Sequence, residues 1–390
     1  MLVSKKIRLK PTPEQETLFW KSAGVSRWAY NFFLAENERS YKEHLENNDV
    51  ELITEGEVRK YINNVLKPTT HTWLKEVSSN VMKQGVKDAA DALKRYLKGV
   101  SDKPKFKSKH RSKPSFYVNY ESLSKKQGGF HGEKIGYVKT CEELPRIPKG
   151  VKYSNPRISY DGEFWYLSVG YEAEPKQVEL TDTSLGIDLG IKDLAICSDG
   201  KVYKNINKTK RVRQLKKKLR REQKKLSRKI ESNIKGYKSN RKPVYERPLR
   251  ECSNIQKQKQ KVRHLYKQLD NIRKNYLHQT TTEIVKTKPF QIVMEDLNVK
   301  GMMKNSHLAK SIAEQSFYEF VRQIRYKTEM YGIRLIQVDR FYPSSKTCSN
   351  CGCIKHNLKL SDRTYRCNEC GLVIDRDFNA SLNLANYKSA

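Results

Sequence analysis

Cys367-Asn-Glu-Cys370-Gly-Leu-Val-Ile-Asp375-Arg-Asp377-Phe-Asn379-Ala380-Ser381 sets two cysteines at metal-ligand spacing just ahead of two aspartates. Either those aspartates serve the metal that the cysteines bind, or one of them belongs to a second site with different chemistry. The choice separates a metal-stabilised binding protein from an enzyme. Upstream, Cys348-x2-Cys351 precedes a gap of fifteen residues before Cys367-x2-Cys370. That is zinc-ribbon spacing, and four thiolates fill a tetrahedral zinc without an open position, so the site is structural. Gly352 and Gly371 follow the pairs, as tight knuckles require. Cys353 reads as a bystander, and His356 would replace a cysteine only in an unusual register. Zinc is satisfied by the four cysteines, so the aspartates need another explanation.

Composition narrows the classes of partner. The 390 residues carry 78 Lys and Arg against 43 Asp and Glu, a net charge of +35. Such a charge opposes compaction unless a polyanion offsets it, and nucleic acid is the polyanion whose phosphates supply that affinity. An anionic membrane is the alternative, but no apolar run approaches the length of a spanning helix. The N-terminal stretch lacks an apolar leader core. The expectation is a soluble intracellular protein. Five of the eight cysteines fall between 348 and 370, which favours metal binding over a disulfide framework.

Along the chain, residues 1–10 suit a short strand. Thr12-Pro13-Glu14-Gln15 then carries a capping threonine, a proline at the first helical position and a glutamine at the third. Helical spacing follows in Leu18, Phe19, Val25, Trp28, Ala29, Phe32 and Phe33, and again over 55–66 and 77–97. Lys103 to Pro114 is basic and proline-punctuated, suited to lying along a phosphate backbone or to a solvated linker. From Phe116 to Ala173 strand signals dominate, with a hairpin around Asp161-Gly162, implying a small antiparallel sheet or barrel.

At Ser184 the pattern changes. Leu185-Gly-Ile-Asp188-Leu-Gly-Ile191 reads as a buried strand carrying one carboxylate, followed by short strands at 193–197 and 201–203. Two long helices come next, one with Val212, Leu215, Leu219, Leu226 and Ile230 on a face, the other with Val262, Leu265, Leu269, Ile272 and Tyr276. An antiparallel hairpin joined by a loop holding Gly236, Pro243 and Pro248 is the economical arrangement. Between Lys208 and Lys229 stand thirteen basic residues against one Glu, an imbalance that suits nucleic-acid contact better than a plain solvated face. A strand at 290–297 ending in Glu295-Asp296, a helix over 311–331 and a strand over 333–339 complete the series.

Three strands, a helical segment, a strand, a helix, a strand and a final helix from Asp377 match the order of an RNase H-like nuclease fold. That fold carries acids on its first strand, at the end of its fourth and on its last helix. Asp188, Glu295 and Asp377 stand at those positions, although Asp296 competes with Glu295, because alternation from Ile292 and Met294 does not decide between them. Three converging carboxylates hold two divalent ions for phosphodiester hydrolysis, and Mg2+ suits such oxygen ligands. A buried strand rarely carries an unpaired charge, which makes Asp188 the hardest of the three to explain otherwise.

Several stretches resemble the TnpB family, the RNA-guided nucleases of insertion-sequence transposons related to type V CRISPR effectors. They are Gly186-Ile-Asp188-Leu-Gly-Ile-Lys-Asp193, Met294-Glu295-Asp-Leu-Asn-Val299, Tyr342-Pro-Ser-Ser-Lys-Thr-Cys348-Ser-Asn-Cys-Gly352, Arg363-Thr-Tyr-Arg-Cys367 and Asp375-Arg-Asp377-Phe-Asn379-Ala380. Leu9-Lys-Pro-Thr12 and Lys105-Phe-Lys-Ser-Lys109 extend the likeness toward the N-terminus.

The resemblance implies a multidomain α/β and β architecture. A wedge β-barrel would occupy 1–10 and 111–178, with a helical recognition domain inserted at 11–110. A RuvC-like nuclease domain would span 179–340 and 375–390, including a basic helical hairpin at 205–280, with a zinc ribbon at 341–374. It further implies Glu295 rather than Asp296 as the second acid, and leaves Asp375 outside the triad. The implied activity is RNA-guided cleavage of double-stranded DNA beside a short adjacent motif by a monomer on its transposon-derived guide RNA. Ser79, Asn80 and Lys83, after Trp73-Leu-Lys-Glu-Val77, match the motif-reading positions. A guided DNA-binding repressor without cleavage, and a DNA transposase or recombinase, are the alternatives; presence of all three acids argues against the repressor.

Overall fold

The computed structural model describes residues 1–387 except 110, 149, 360 and 361. The basic stretch 103–114 therefore lies outside the described residues at 110, and the expected nuclease segment 375–390 does so at 388–390. The chain divides into two compact units, Met1–Ala173 and Glu174–Ala390.

In the first unit, β1 (Leu2–Lys10) is followed by α1 (Pro13–Glu46), α2 (Glu55–Tyr61) and α3 (Ser79–Leu97). The strands β2 (Ser115–Tyr117), β3 (Ser124–Lys126), β4 (Gly129–Gly132), β5 (Gly136–Thr140), β6 (Ser154–Tyr160) and β7 (Trp165–Glu172) complete it. Thr12 caps α1 through the expected reciprocal pair with Gln15, and Pro13 occupies the first turn, where its missing N–H is harmless. The expected helix over 55–66 ends its last turn in a wider π geometry at Ile62–Leu66. The helix expected from 77 starts two residues later, at the Ser78 cap, after a 3-10 turn over Thr72–Glu76. One seven-stranded antiparallel sheet runs β2-β6-β7-β1-β5-β4-β3, so the N-terminal strand is central in it. Phe19, Phe116, Phe130 and Leu167 fill the core between this sheet and α1.

The second unit opens with β8 (Thr181–Leu189), β9 (Asp193–Cys197) and β10 (Val202–Lys204). Next come α4 (Lys210–Glu231), β11 (Ile234–Tyr237), β12 (Pro243–Tyr245), α5 (Ser253–Lys286) and β13 (Pro289–Glu295). Then follow α6 (Val299–Met302), α7 (Ala309–Gln315), α8 (Phe317–Tyr331) and β14 (Arg334–Val338). The chain ends in β15 (Thr364–Arg366), β16 (Val373–Asp375) and α9 (Arg376–Ala385). A five-stranded sheet is ordered β10-β9-β8-β13-β14. β9 and β10 run antiparallel in it, while β13 and β14 run parallel to β8. Its central strands are buried, which is why Leu185–Ile187 and Ile292–Met294 read as apolar runs rather than alternations.

Two expectations change. The single helix over 311–331 is broken into α7 and α8 at Ser316, which has φ 58. The loop between the two long helices contains an antiparallel hairpin, β11 against β12. The helices themselves pack antiparallel through Val212, Leu219, Val262, Leu265 and Leu269. Gln258 near the start of α5 reaches Glu222 on α4, and Tyr276 near its end reaches the Lys204 carbonyl.

Candidate active site and metal centre

β8 and β13 run in the same direction with Met294 opposite Ile187, so Asp188 and Glu295 follow side by side at the strands' C-terminal ends. α9 lies directly on β8 because position 186 is glycine. A Cβ there would stand 1.9 Å from the Ser381 carbonyl oxygen and 2.5 Å from the Ala385 nitrogen. That close approach carries Asp377, in the first turn of α9, toward the other two acids.

The electrostatics of Asp188 record the gathering. Protein packed around its carboxyl, then the charges of Glu295 and Asp377, push its pKa from 3.8 up to about 8, against the opposing pull of Arg376. The residue surface keeps some solvent access, so the crowding concerns the carboxyl itself. Carboxylates placed this way cannot all ionise cheaply without a cation between them, and hard oxygen donors of this kind fit a divalent ion such as Mg2+. Glu295 accepts a hydrogen bond from the Ser344 hydroxyl. Asp377 accepts from Arg376 Nε at 3.1 Å and Nη2 at 2.9 Å, with Arg363 at 3.8 Å.

The neighbouring acids face elsewhere. Asp296 is exposed and pairs with Arg340 at 3.0 Å. Asp375 accepts from the backbone N–H groups of Asp377 and Phe378 at 3.0 and 3.1 Å, and is the cap of α9.

Cys348, Cys351, Cys367 and Cys370 place their sulfurs within 4.8 Å of one another. The Cys348–Cys370 and Cys351–Cys367 separations are 3.6 and 3.5 Å. A zinc at the usual Zn–S distance of about 2.3 Å has sulfurs about 3.8 Å apart along each tetrahedral edge, so the residues fit the ion. Gly352 and Gly371 adopt φ 77 and 70, the left-handed knuckle conformation that a side chain would strain. Cys353 and His356 stand outside this cluster. Among the described residues it is the one such group of three or more ligand-type side chains found.

Sequence reasoning quoted Ser344 and Asn379 without a role and passed over Asn383. Asn379 and Asn383, one helical turn apart on α9, are 0% and 5% exposed, and both donate to the Thr347 carbonyl at 2.7 Å. Amides at i and i+4 on the inner face of a short helix were the available signal.

The residues matched to motif reading occupy the first two turns of α3. Ser79 accepts from Lys67 at 2.6 Å, Asn80 donates to Glu133 at 2.9 Å, and Lys83 is exposed. On α4 every basic residue except Lys216 is exposed, so the helix presents a dense cationic face. No helix among the described residues is long and apolar enough to cross a membrane.

Fold and site together define a multidomain α/β protein with a four-cysteine centre of zinc-ribbon type and acids at the C-terminal ends of two central strands. Three family descriptions match successive segments: the IS605 OrfB "Helix-turn-helix domain" over 1–46, the IS605 OrfB "Probable transposase" over 168–306, and the "Cas12f1-like, TNB domain" over 317–384. A protein of Streptomyces pristinaespiralis named "Putative RNA-guided DNA endonuclease" is 28% identical over 97% of this chain and 87% of its own. "Putative RNA-guided DNA endonuclease InsQ" of Escherichia coli (strain K12) is 29% identical over 97% of this chain and 90% of its own. "CRISPR-associated endodeoxyribonuclease Cas12f1" of Sulfoacidibacillus thermotolerans is 28% identical over 57% of this chain and 50% of its own. Among solved structures, the mini-RNA-guided endonuclease CRISPR-Cas_phi3 aligns over 99% of this chain and 92% of that one, at 12% identity and a TM-score of 0.47. The chain is thus similar, over nearly its whole length, to proteins named putative RNA-guided DNA endonuclease, and segments of it match IS605 OrfB family descriptions.

Proposed function

We propose that this chain is a transposon-encoded, RNA-guided DNA endonuclease. In this reading Asp188, Glu295 and Asp377 hold two Mg2+ ions, and Cys348, Cys351, Cys367 and Cys370 hold a structural Zn2+. What carries it is the placing of Asp188 and Glu295 side by side at the C-terminal ends of neighbouring strands, with α9 bringing Asp377 toward them. Three strands in antiparallel succession followed by two parallel ones support an RNase H-like, RuvC-type domain. The antiparallel sheet of the first unit, with helices inserted between β1 and β2, supports a wedge at 1–10 and 111–178 and a recognition domain at 11–110. The remaining boundaries follow as the nuclease domain at 179–340 and 375–390 and the ribbon at 341–374.

Bound divalent ions would activate water toward a phosphodiester and offset charge on the departing oxygen. The chain's own residues supply the geometry. Asp188 sits on a central strand, Glu295 is oriented by Ser344, and Asp377 is held in the first turn of α9 by Arg376. The exposed cations of α4 suit the sugar-phosphate backbone of a guide, while base pairing reads the target. Ser79, Asn80 and Lys83 lie on one short surface at the start of α3 and suit contact with a short DNA motif.

The test is to express the chain with its flanking transposon end, sequence the RNA that co-purifies, and offer duplex DNA matching that RNA beside randomised flanks. Guide-dependent cleavage in Mg2+ is expected. Guide-dependent binding without cleavage would turn the reading to a repressor, and recovery without RNA would remove it.

A further inference from the structure

The carboxylate site and the four-cysteine centre are joined by a partly buried hydrogen-bond chain that neither needs for its own ligand set. It runs through residues 342–349, the loop leading into the first cysteine pair. Ser344, 2% exposed, donates its hydroxyl to Glu295 Oε1. Its carbonyl accepts from Asn383 Nδ2 at 2.7 Å, and the same amide donates to the Thr347 carbonyl. Asn379 donates to Thr347 at 2.7 Å and accepts the backbone N–H of Ser349 at 3.0 Å. Thr347 and Ser349 flank Cys348, so two amides of α9 grip the backbone on both sides of a thiolate ligand. α9 is also the helix that carries Asp377.

We propose that Ser344 is a positioning residue for Glu295, and that Asn379 and Asn383 make its position depend on an intact four-cysteine centre. The proposal rests on the reading of Glu295 as a metal-holding carboxylate. A carboxylate with one oxygen pinned by a donor presents the other in a fixed direction, and such supporting partners tune metal affinity. A mere buried hydroxyl would need only some acceptor. Ser344 instead takes an acid at the C-terminal end of a central strand, from a loop whose remaining polar groups are held by α9 and the ribbon. Loss of zinc frees the backbone around Cys348, lets the loop leave the two amides, and releases the Ser344 donor from Glu295.

The experiment measures Mn2+ binding to the full chain by electron paramagnetic resonance of the free ion, with zinc content and thermal transition recorded for each variant. The readout requires neither guide RNA nor cleavage, so it stands apart from the test of the nuclease reading. Asp377→Ala marks the signal as coming from the carboxylate site. Ser344→Ala is expected to keep its zinc and its thermal transition while binding Mn2+ about tenfold more weakly. Ser344→Thr, which retains the hydroxyl, should restore binding. Asn383→Ala should weaken Mn2+ binding in the same direction with zinc still present. Removal of zinc by Cys351→Ser should weaken it as Ser344→Ala does, and the pair together should be no worse than either alone. Unchanged Mn2+ affinity in Ser344→Ala overturns the positioning role. Equal damage in Ser344→Thr reduces it to packing, and strictly additive effects of Ser344→Ala and Cys351→Ser sever the two centres. If Cys351→Ser fails to fold, the unsubstituted chain stripped of zinc by a chelator that is then removed decides the link: weaker Mn2+ binding upholds it, and unchanged affinity severs the two centres.

Discussion

Asp375 and Asp377 are two positions apart, yet the fold gives their carboxylates different hydrogen-bond partners. The carboxylate of Asp375 satisfies two otherwise unpaired N–H groups at the start of α9, and of the two it is Asp377 whose charge acts more strongly on Asp188. Substitution of the two should therefore separate activity from stability. Asp377→Ala is expected to abolish guided cleavage while guide-dependent DNA binding survives, measured by gel shift and product formation on one substrate. Asp375→Ala should cost about 1 kcal/mol of stability as a lost cap and retain substantial cleavage. Equal loss of cleavage in both variants would undo the assignment. Gly186 offers a different kind of residue-level test. Its hydrogen is all that separates β8 from α9, so Gly186→Ala should destabilise by about 1–3 kcal/mol through overpacking, seen in urea unfolding.

Elements show how the charges divide between structure and binding. In the first unit, Arg157 on β6 grips Asp88 on α3 with two hydrogen bonds of 2.7 Å. Burial works to raise the Asp88 pKa, but Arg157 and Gln84 outweigh it and hold the carboxyl below its ordinary value. A depressed carboxylate stabilises the fold fully above its unfolded pKa of about 4, and that contribution disappears as pH falls through the folded value. Arg157→Ala should therefore destabilise at pH 7 by about 1–3 kcal/mol, because it leaves a half-buried acid with Gln84 as its remaining hydrogen-bond partner, and the deficit should shrink toward pH 3. On α4, by contrast, the cations are exposed and hold nothing together apart from contacts such as Lys216 with Glu314. Changing Lys217, Arg220, Lys224 and Arg228 to Gln should leave unfolding unaffected. RNA affinity should fall and its salt dependence flatten by roughly 0.7 per phosphate contact removed, read from titrations at several salt concentrations.

At the scale of the molecule, the ribbon has little apolar core of its own. Cys348, Tyr365 and Cys367 are its buried members, with Leu358, Leu372 and Ile374 packed against them. So small a cluster depends on metal coordination for its fold. Cys367→Ser should release the zinc, lower the thermal transition and open residues 341–374 to limited proteolysis. A variant that kept both its zinc and its transition would refute the zinc-ribbon assignment.

The cysteine centre was legible in the sequence because its two knuckles are local: x2 spacing followed by a glycine carries the geometry within a few residues. The cap of α1 and the apolar runs of β8 and β13 were legible for the same reason. Other features were not local. The break at Ser316, the hairpin between α4 and α5 and the central place of β1 depend on packing partners that no short window contains. Glu295 and Asp296 illustrate the limit, since alternation left both open and the parallel register with β8 sets Glu295 beside Asp188 while Asp296 meets Arg340. Sequence alone determined which residues could ligate metal and that the chain suits a polyanion. Tertiary structure decided which carboxylates share space, because parallel strands and a helix seated on Gly186 bring together acids that lie far apart along the chain.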